Sequence, residues 1–228
     1  MRVLCCDTSN RTCCAGIYDD GKELSYELSL EKRTHSETFM PLVMRVFREC
    51  GLNPVDMDAL AVTTGPGSFT GIRIGLSAVK GMALATGLNV IPVSSLKALA
   101  LSVENVTAKP SDTIIVPCFD ARNDRVFASA IDDATGDSLV EDNAYFNEDF
   151  IELLKAVPGA SDKQILVVGD GAETIRKALF FSHRVEYAPG AVILPKGIMK
   201  ASSGIEAVNG AAVKASYCAV SRAERYHN

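Results

Sequence analysis

The 228-residue chain has no excess of basic residues, no long apolar run and no two histidines at metal-binding spacing. Each absence excludes a class of function. Lys and Arg number 23 against 28 Asp and Glu, a net charge of -5. Holding nucleic acid unaided needs Lys and Arg concentrated over phosphates, so contact with nucleic acid is expected only through a partner. No apolar stretch reaches the roughly 18 residues of a membrane span. Asp7 interrupts the N-terminus before a signal-peptide core could form, so a cytoplasmic protein without membrane contact is expected. His35, His183 and His227 stand far apart, which excludes the paired-histidine helix of a zinc hydrolase. The Gly-x-Ser-x-Gly elbow of a serine hydrolase is missing too. No catalytic residue and no metal ligand is assigned.

What is present reads as a folded globule. Hydrophobic residues make up 47% of the chain and mean hydropathy is +0.13, with room for one large domain or two small ones. Cysteine is the unusual component: seven residues, four of them in the doublets Cys5-Cys6 and Cys13-Cys14. If residues 2–8 and 12–19 form a hairpin, alternation sends the four sulfurs to two opposite faces. They then cannot close one tetrahedral metal site, and a reducing compartment disfavours a disulfide. They are read as buried thiols acting as small hydrophobes.

The element order describes two similar α/β halves. Val3 to Thr8, Cys13 to Tyr18 and Glu23 to Leu30 are predicted strands, with Asp19-Asp20-Gly21 a hairpin turn. A helix from Thr34, a strand over 59–64, a helix from Ser68, a strand over 89–93 and a helix from Ser95 follow. This is the order of a ribonuclease-H-like domain. Polar residues 104–112, with Pro110, read as a linker. Beyond it, strands are predicted over 113–119, 125–131 and 164–168, helices over 148–156 and 172–181, and an extended segment over 184–187. Residues 1–105 are assigned to the first domain and 106–204 to a smaller second one. A last helix near Gly204 to Ser216, in the segment 205–228, is expected to pack back on the first domain.

Two helices stand out. In 34-THSE-37, Thr34 and Glu37 form a capping box. Met40, Val43, Met44 and Phe47 follow at helical spacing, and Pro41 predicts a kink. In the next helix Gly71, Gly75, Ala78 and Ala85 make a small-residue face, Ile72, Leu76, Val79 and Ala83 an apolar one, and Thr70, Arg73, Ser77 and Lys80 a narrow polar stripe. A helix apolar around most of its circumference is buried on several sides, and a sheet covers only one. Ordinary core is the bland explanation. The sharper one is a partner surface made of Met40, Val43, Met44, Phe47, Gly71, Ile72, Gly75, Leu76, Ala78, Val79 and Met82. On that reading a bulky residue at Gly75 or Ala78 breaks pairing and leaves the fold intact.

The loop 65-GPGSFTGIRIG-75 has the look of a phosphate cradle. It fails the Walker pattern, because Ile72 and Arg73 follow Gly71 where lysine is required, and Thr70 breaks the Rossmann pattern. Anion binding at the helix start stays open. So does a purely structural turn around Pro66, with Ser68 as cap. The strand end 6-CDTSN-10 resembles the first phosphate site of the actin and Hsp70 class, yet no glycine follows before Gly16. Its counterpart 119-FDARND-124 lacks the glycine as well, and Asp120 and Asp124 are either a carboxylate pair or turn residues. The candidate nucleotide or anion contacts are Asp7, Thr8, Gly65, Gly67, Ser68 and Arg73. His35 is read as a first-turn residue rather than a catalyst.

Taken in order, 6-CDTSN-10, 34-THSETFMP-41, 63-TTGPGSFTGIRIGLSAVKGMA-83, 92-PVSSLKALA-100, 119-FDARNDRVFAS-129 and 168-VGDGAE-173 resemble the TsaB (YeaZ) family. The resemblance implies an actin/Hsp70-like fold of two ribonuclease-H-like domains, the second reduced. It implies a role in making threonylcarbamoyladenosine next to the tRNA anticodon, as a subunit that is not the catalyst. It also implies pairing with and stabilising TsaD through helices 34–50 and 68–87, with the ATPase TsaE joining them, and a homodimer when the chain is alone. No cofactor of its own is implied; ATP and a metal ion belong to the partner subunits, and tRNA is reached only through the complex. The alternatives are an ATP-binding or ATP-hydrolysing enzyme using Asp7, or a metallopeptidase-like protein. The cysteine doublets are unusual for the family, Ala215 stands where it has proline, and residues 188–203 match it poorly.

Overall fold

The computed structural model describes residues 1–30, 35–103, 112–176, 179 and 184–218. Three antiparallel strands come first: β1 (Arg2–Asp7), β2 (Cys13–Asp19) and β3 (Lys22–Ser29). Asp20 and Gly21 turn β2 into β3 with φ of 48° and 78°, the left-handed pair that a tight hairpin requires. β4 (Ala59–Gly65) lies parallel to β1, and β5 (Asn89–Ser94) parallel to β4. β4 is buried at every position and β1 at every position after Arg2. That is why both read as near-continuous apolar runs rather than alternating ones.

Helices α1 (His35–Cys50) and α2 (Phe69–Thr86) bury one side each in the same core. Phe39, Leu42 and Val46 meet Ile72 and Val79 there over Leu4, Leu60 and Val62. α1 runs on through Pro41, and the expected capping role of Thr34 lies outside the described residues. α2 starts where expected, with the Ser68 hydroxyl accepting from the Gly71 amide, and stops at Gly87 in the left-handed conformation. α3 (Ser95–Ser102) is capped in the same way by Ser94.

The second unit repeats this order. β6 (Thr113–Arg122), β7 (Arg125–Asp132) and β8 (Ser138–Phe146) are antiparallel, and β9 (Gln164–Val168) and β10 (Val185–Ala188) extend the sheet in parallel from β6. The sheet orders are β5-β4-β1-β2-β3 and β10-β9-β6-β7-β8, one topology used twice. The second unit carries the helices α4 (Asn147–Ala156) and α5 (Ala172–Arg176). Its core gathers on Phe150, Leu154, Ile114 and Val167. Phe150→Ala is expected to cost about 3–5 kcal/mol, the usual range for a buried phenylalanine. Urea unfolding followed by amide exchange should then show residues 113–188 opening first.

One expectation is corrected at the C-terminal side. No helix occupies Gly204 to Ser216. The chain instead forms α6 (Pro195–Ala201), the two-residue strand β11 (Val208–Asn209) beside β5, and a 3-10 turn at Gly210–Ala212. Residues 191–215 belong to the first unit with 1–106, so its return begins at Ala191 rather than near 205. α6 reaches α3 because Gly197 has no side chain: a Cβ there would strike Ser102 and the Ala98 carbonyl.

Candidate functional site

The β1–β2 hairpin ends beside the turn that opens α2, and Asp7, Thr8, Gly67 and Ser68, four of the residues named as anion contacts, meet there. Asp7, Thr8 and Ser9 are fully buried, as is Thr63 on the neighbouring strand. Asp7 Oδ1 accepts from the Ser9 amide at 3.0 Å, the Ser9 hydroxyl at 2.6 Å and the Thr63 hydroxyl at 2.5 Å. The Thr8 hydroxyl donates to the Gly71 carbonyl at 2.7 Å. The Ser68 amide donates to the Ser9 carbonyl at 2.7 Å, while its hydroxyl takes the Gly71 amide. These groups, able in principle to hold a phosphate, are thus engaged with one another. Gly65 pairs with Ser94 at the end of β4, and Arg73 lies away from the cluster, stacked 3.8 Å over the exposed Phe69 ring. His35 sits near the same strand end, its Nε2 donating to the Asn10 carbonyl at 2.6 Å. The structure gives it a cap-like structural contact.

The glycines of this loop are explained by close approach. A Cβ at Gly67 would strike the Ser9 carbonyl, one at Gly71 the Thr8 carbonyl and one at Gly75 the Thr8 side chain, each well inside 3.0 Å. Gly71 and Gly75, two of the residues assigned to a partner surface, are thus turned toward Thr8 at the end of β1. The second unit uses the same device. Gly171 presses on the backbone of Cys118 and Phe119, and the Asp170 carboxylate accepts from the Asp120 amide at 3.2 Å. Asp120 in turn accepts from the Arg122 amide at 2.8 Å, and Arg122, Asn123 and Asp124 all have positive φ. These are turn residues, not an acid pair.

The remaining residues assigned to a partner surface divide. Val43, Phe47, Ile72, Leu76 and Val79 are core, because α1 and α2 direct those positions at the sheet. Met40 (39% exposed) and Met44 (58%) face outward, and Ala78 and Met82 are half-buried. Sequence reasoning missed Phe69 at 43% and Leu84 at 89% exposure. For Leu84 the signal that could have found it is angular, because it projects away from the Ile72–Val79 line on a helical wheel; Phe69 shares the side of Leu76 and is exposed as the first residue of α2.

The cysteine doublets behave as expected. Cys6 and Cys13 enter the helix-facing core, and Cys14 donates to the Ile193 carbonyl at 3.5 Å on the opposite face. All four thiols are free and buried. Burial pushes Cys13 up to about 11 and Cys5 higher still, so none is a reactive thiolate.

Comparison with known proteins adds four likenesses. A family model described as "TsaD: tRNA N6-adenosine threonylcarbamoyltransferase" matches residues 29–205. The tRNA threonylcarbamoyladenosine biosynthesis protein TsaB of Bacillus subtilis is 30% identical over 171 residues, covering 74% of this chain and 71% of that protein. TsaB of Escherichia coli is 34% identical over 127 residues, but this match spans only 53% of its length and 56% of this chain. Among solved structures, YeaZ from Pseudomonas aeruginosa superposes with a TM-score of 0.79 over 95% of this chain and 99% of that one. At 22% identity, that last likeness speaks for the fold alone.

Proposed function

Because the chain belongs to the family that the TsaD model describes, and within it to the TsaB (YeaZ) proteins, we propose that it is a subunit of the machinery making threonylcarbamoyladenosine in tRNA. It serves there as a docking and stabilising partner for a TsaD-type transferase, not as the catalyst. The likeness to the Bacillus subtilis protein, extending over most of both chains, carries this reading.

The site geometry supports the silent role. Asp7 Oδ1 and the Ser9, Ser68 and Thr8 groups around it are engaged with one another. Among the described residues no three His, Cys, Asp or Glu side chains are grouped to hold a metal ion. On the TsaB reading, ATP and the catalytic metal ion belong to TsaD- and TsaE-type partners, and this acidic chain reaches tRNA through them. The partner surface is centred on the outward side of α1, carrying Met40 and Met44, with Ala78 and Met82 of α2 partly exposed at i,i+4 spacing. Methionine adapts to irregular apolar surfaces. When alone, the chain covers that surface with a second copy. No helix among the described residues is long and apolar enough to cross a membrane, and action in the cytoplasm is proposed.

Reconstituted threonylcarbamoyl transfer to tRNA is the test. Transfer should need the TsaD-type partner and fall to background when this chain is left out. Turnover by this chain alone would make it the enzyme and overturn the silent role.

A further inference from the structure

We propose that Asp7 is a proton-carrying clasp, a neutral carboxyl that fastens the end of β1 to the turn opening α2 and loosens that turn when it ionises. Three donors converge on Oδ1, while Oδ2 is buried and has no hydrogen-bond partner. An ionised carboxyl here would place charge on an oxygen that neither water nor protein stabilises. Taking a carboxylate out of water costs several kcal/mol, and the donors on Oδ1 leave the charge shared by Oδ2 unsolvated, whereas one unmade neutral hydrogen bond costs about 1–3 kcal/mol. The neutral form is the cheaper occupant of this geometry.

The groups facing Asp7 do little to reverse that balance. From α1 comes His35, and from β1 and β2 come the buried thiols of Cys6, Cys13 and Cys14. β4 contributes the neutral Thr63, and α2 meets this strand end through Gly71 and Gly75. Burial, the largest influence, pushes the carboxyl above the usual aspartate range. The Ser9 and Thr63 hydrogen bonds and the His35 charge pull it down without cancelling the rise. A neutral carboxyl is also a poor ligand for a divalent cation.

The connection to α2 runs through one residue. Ser9 gives its amide and hydroxyl to Asp7 and its carbonyl to the Ser68 amide at the α2 cap. Hydrating an ionised Oδ2 requires water to enter beside Ser9, which opens the Ser9–Ser68 contact.

The sign follows from linkage. The folded chain keeps this proton to higher pH than the unfolded chain does. From about pH 3.9, the ordinary aspartate value, up to the raised folded value, it binds more protons and loses stability as pH rises. Each unit of rise weakens folding tenfold across that window.

Urea unfolding of the wild-type chain and Asp7→Asn, compared from about pH 4 to pH 8, tests this. Asparagine keeps the acceptor for Ser9 and Thr63 and places a neutral group where Oδ2 lies. The wild-type stability minus that of the variant should fall by tenfold or more in equilibrium constant as pH rises; a flat or rising difference would overturn the proposal. The carboxyl 13C resonance of Asp7 in the wild-type chain decides the matter even if the variant does not fold. A titration midpoint above the ordinary aspartate range supports the clasp, and one at or below it refutes it.

Discussion

Gly71→Ala is expected to lose about 2 kcal/mol of stability, while Gly81→Ala in the same helix gains about 0.5–1 kcal/mol. Both glycines lie inside α2, where alanine is the better helix former by about 1 kcal/mol. At Gly81 nothing stands within 4 Å of the new Cβ, so that gain is realised. At Gly71 the Cβ meets the Thr8 carbonyl, a backbone atom that cannot rotate away. The helix must then retreat from β1, straining the Thr8–Gly71 hydrogen bond and the Asp7–Ser9–Ser68 chain behind it. At about 2–4 °C per kcal/mol for a chain of this size, thermal melts should move in opposite directions. A Gly71→Ala variant melting at or above wild type would show that close packing against β1 is not what selects glycine. A leucine at Gly75 should behave as an extreme of the same effect, harming the fold rather than sparing it.

The paired change Met40→Glu and Met44→Glu is expected to leave melting unchanged and to weaken binding to a TsaD-type partner by about a hundredfold. Both side chains already face water in the free chain, so charge there costs the fold little. In a complex each methionine contributes about 1.5–3 kcal/mol if fully buried, and 1.4 kcal/mol is a factor of ten in affinity. Titration calorimetry against the purified partner measures the loss. Wild-type affinity in the double variant would move the docking surface elsewhere. On the proposed docking surface, the same variant should also fail to dimerise with itself.

The contrast between these two experiments shows where the sequence was legible. The over-apolar character of α2 was read correctly and its geometry only partly. Composition revealed that more than one side of α2 is covered, but not that one of those sides is covered by Thr8, a residue 63 positions away along the chain. β8 was missed for a related reason. As the outer strand of its sheet, its run Ser138–Phe146 mixes Leu139 and Val140 with Glu141, Asp142 and Asn143. An edge strand half in water needs no clean apolar pattern. The C-terminal return failed in the other direction. Ala207 to Ala215 has helix-forming composition, yet β11 is set by the free edge of β5, which no local propensity records.

By itself the sequence determined the α/β class, the doubled strand–helix order, the caps at Ser68 and the Asp20-Gly21 turn, and the failure of both phosphate motifs. These rest on periodicity, on turn residues and on residue spacing, all of which act within a few positions of the chain. Only the tertiary structure decided that Gly67, Gly71 and Gly75 of 65-GPGSFTGIRIG-75 meet Ser9 and Thr8, that Asp7 is sealed from water with one oxygen unpaired, and that Met40 and Met44 look outward while Val43 and Phe47 look in. Burial and close approach depend on which distant strand lies against a helix. A single chain read along its length does not contain that information in local form.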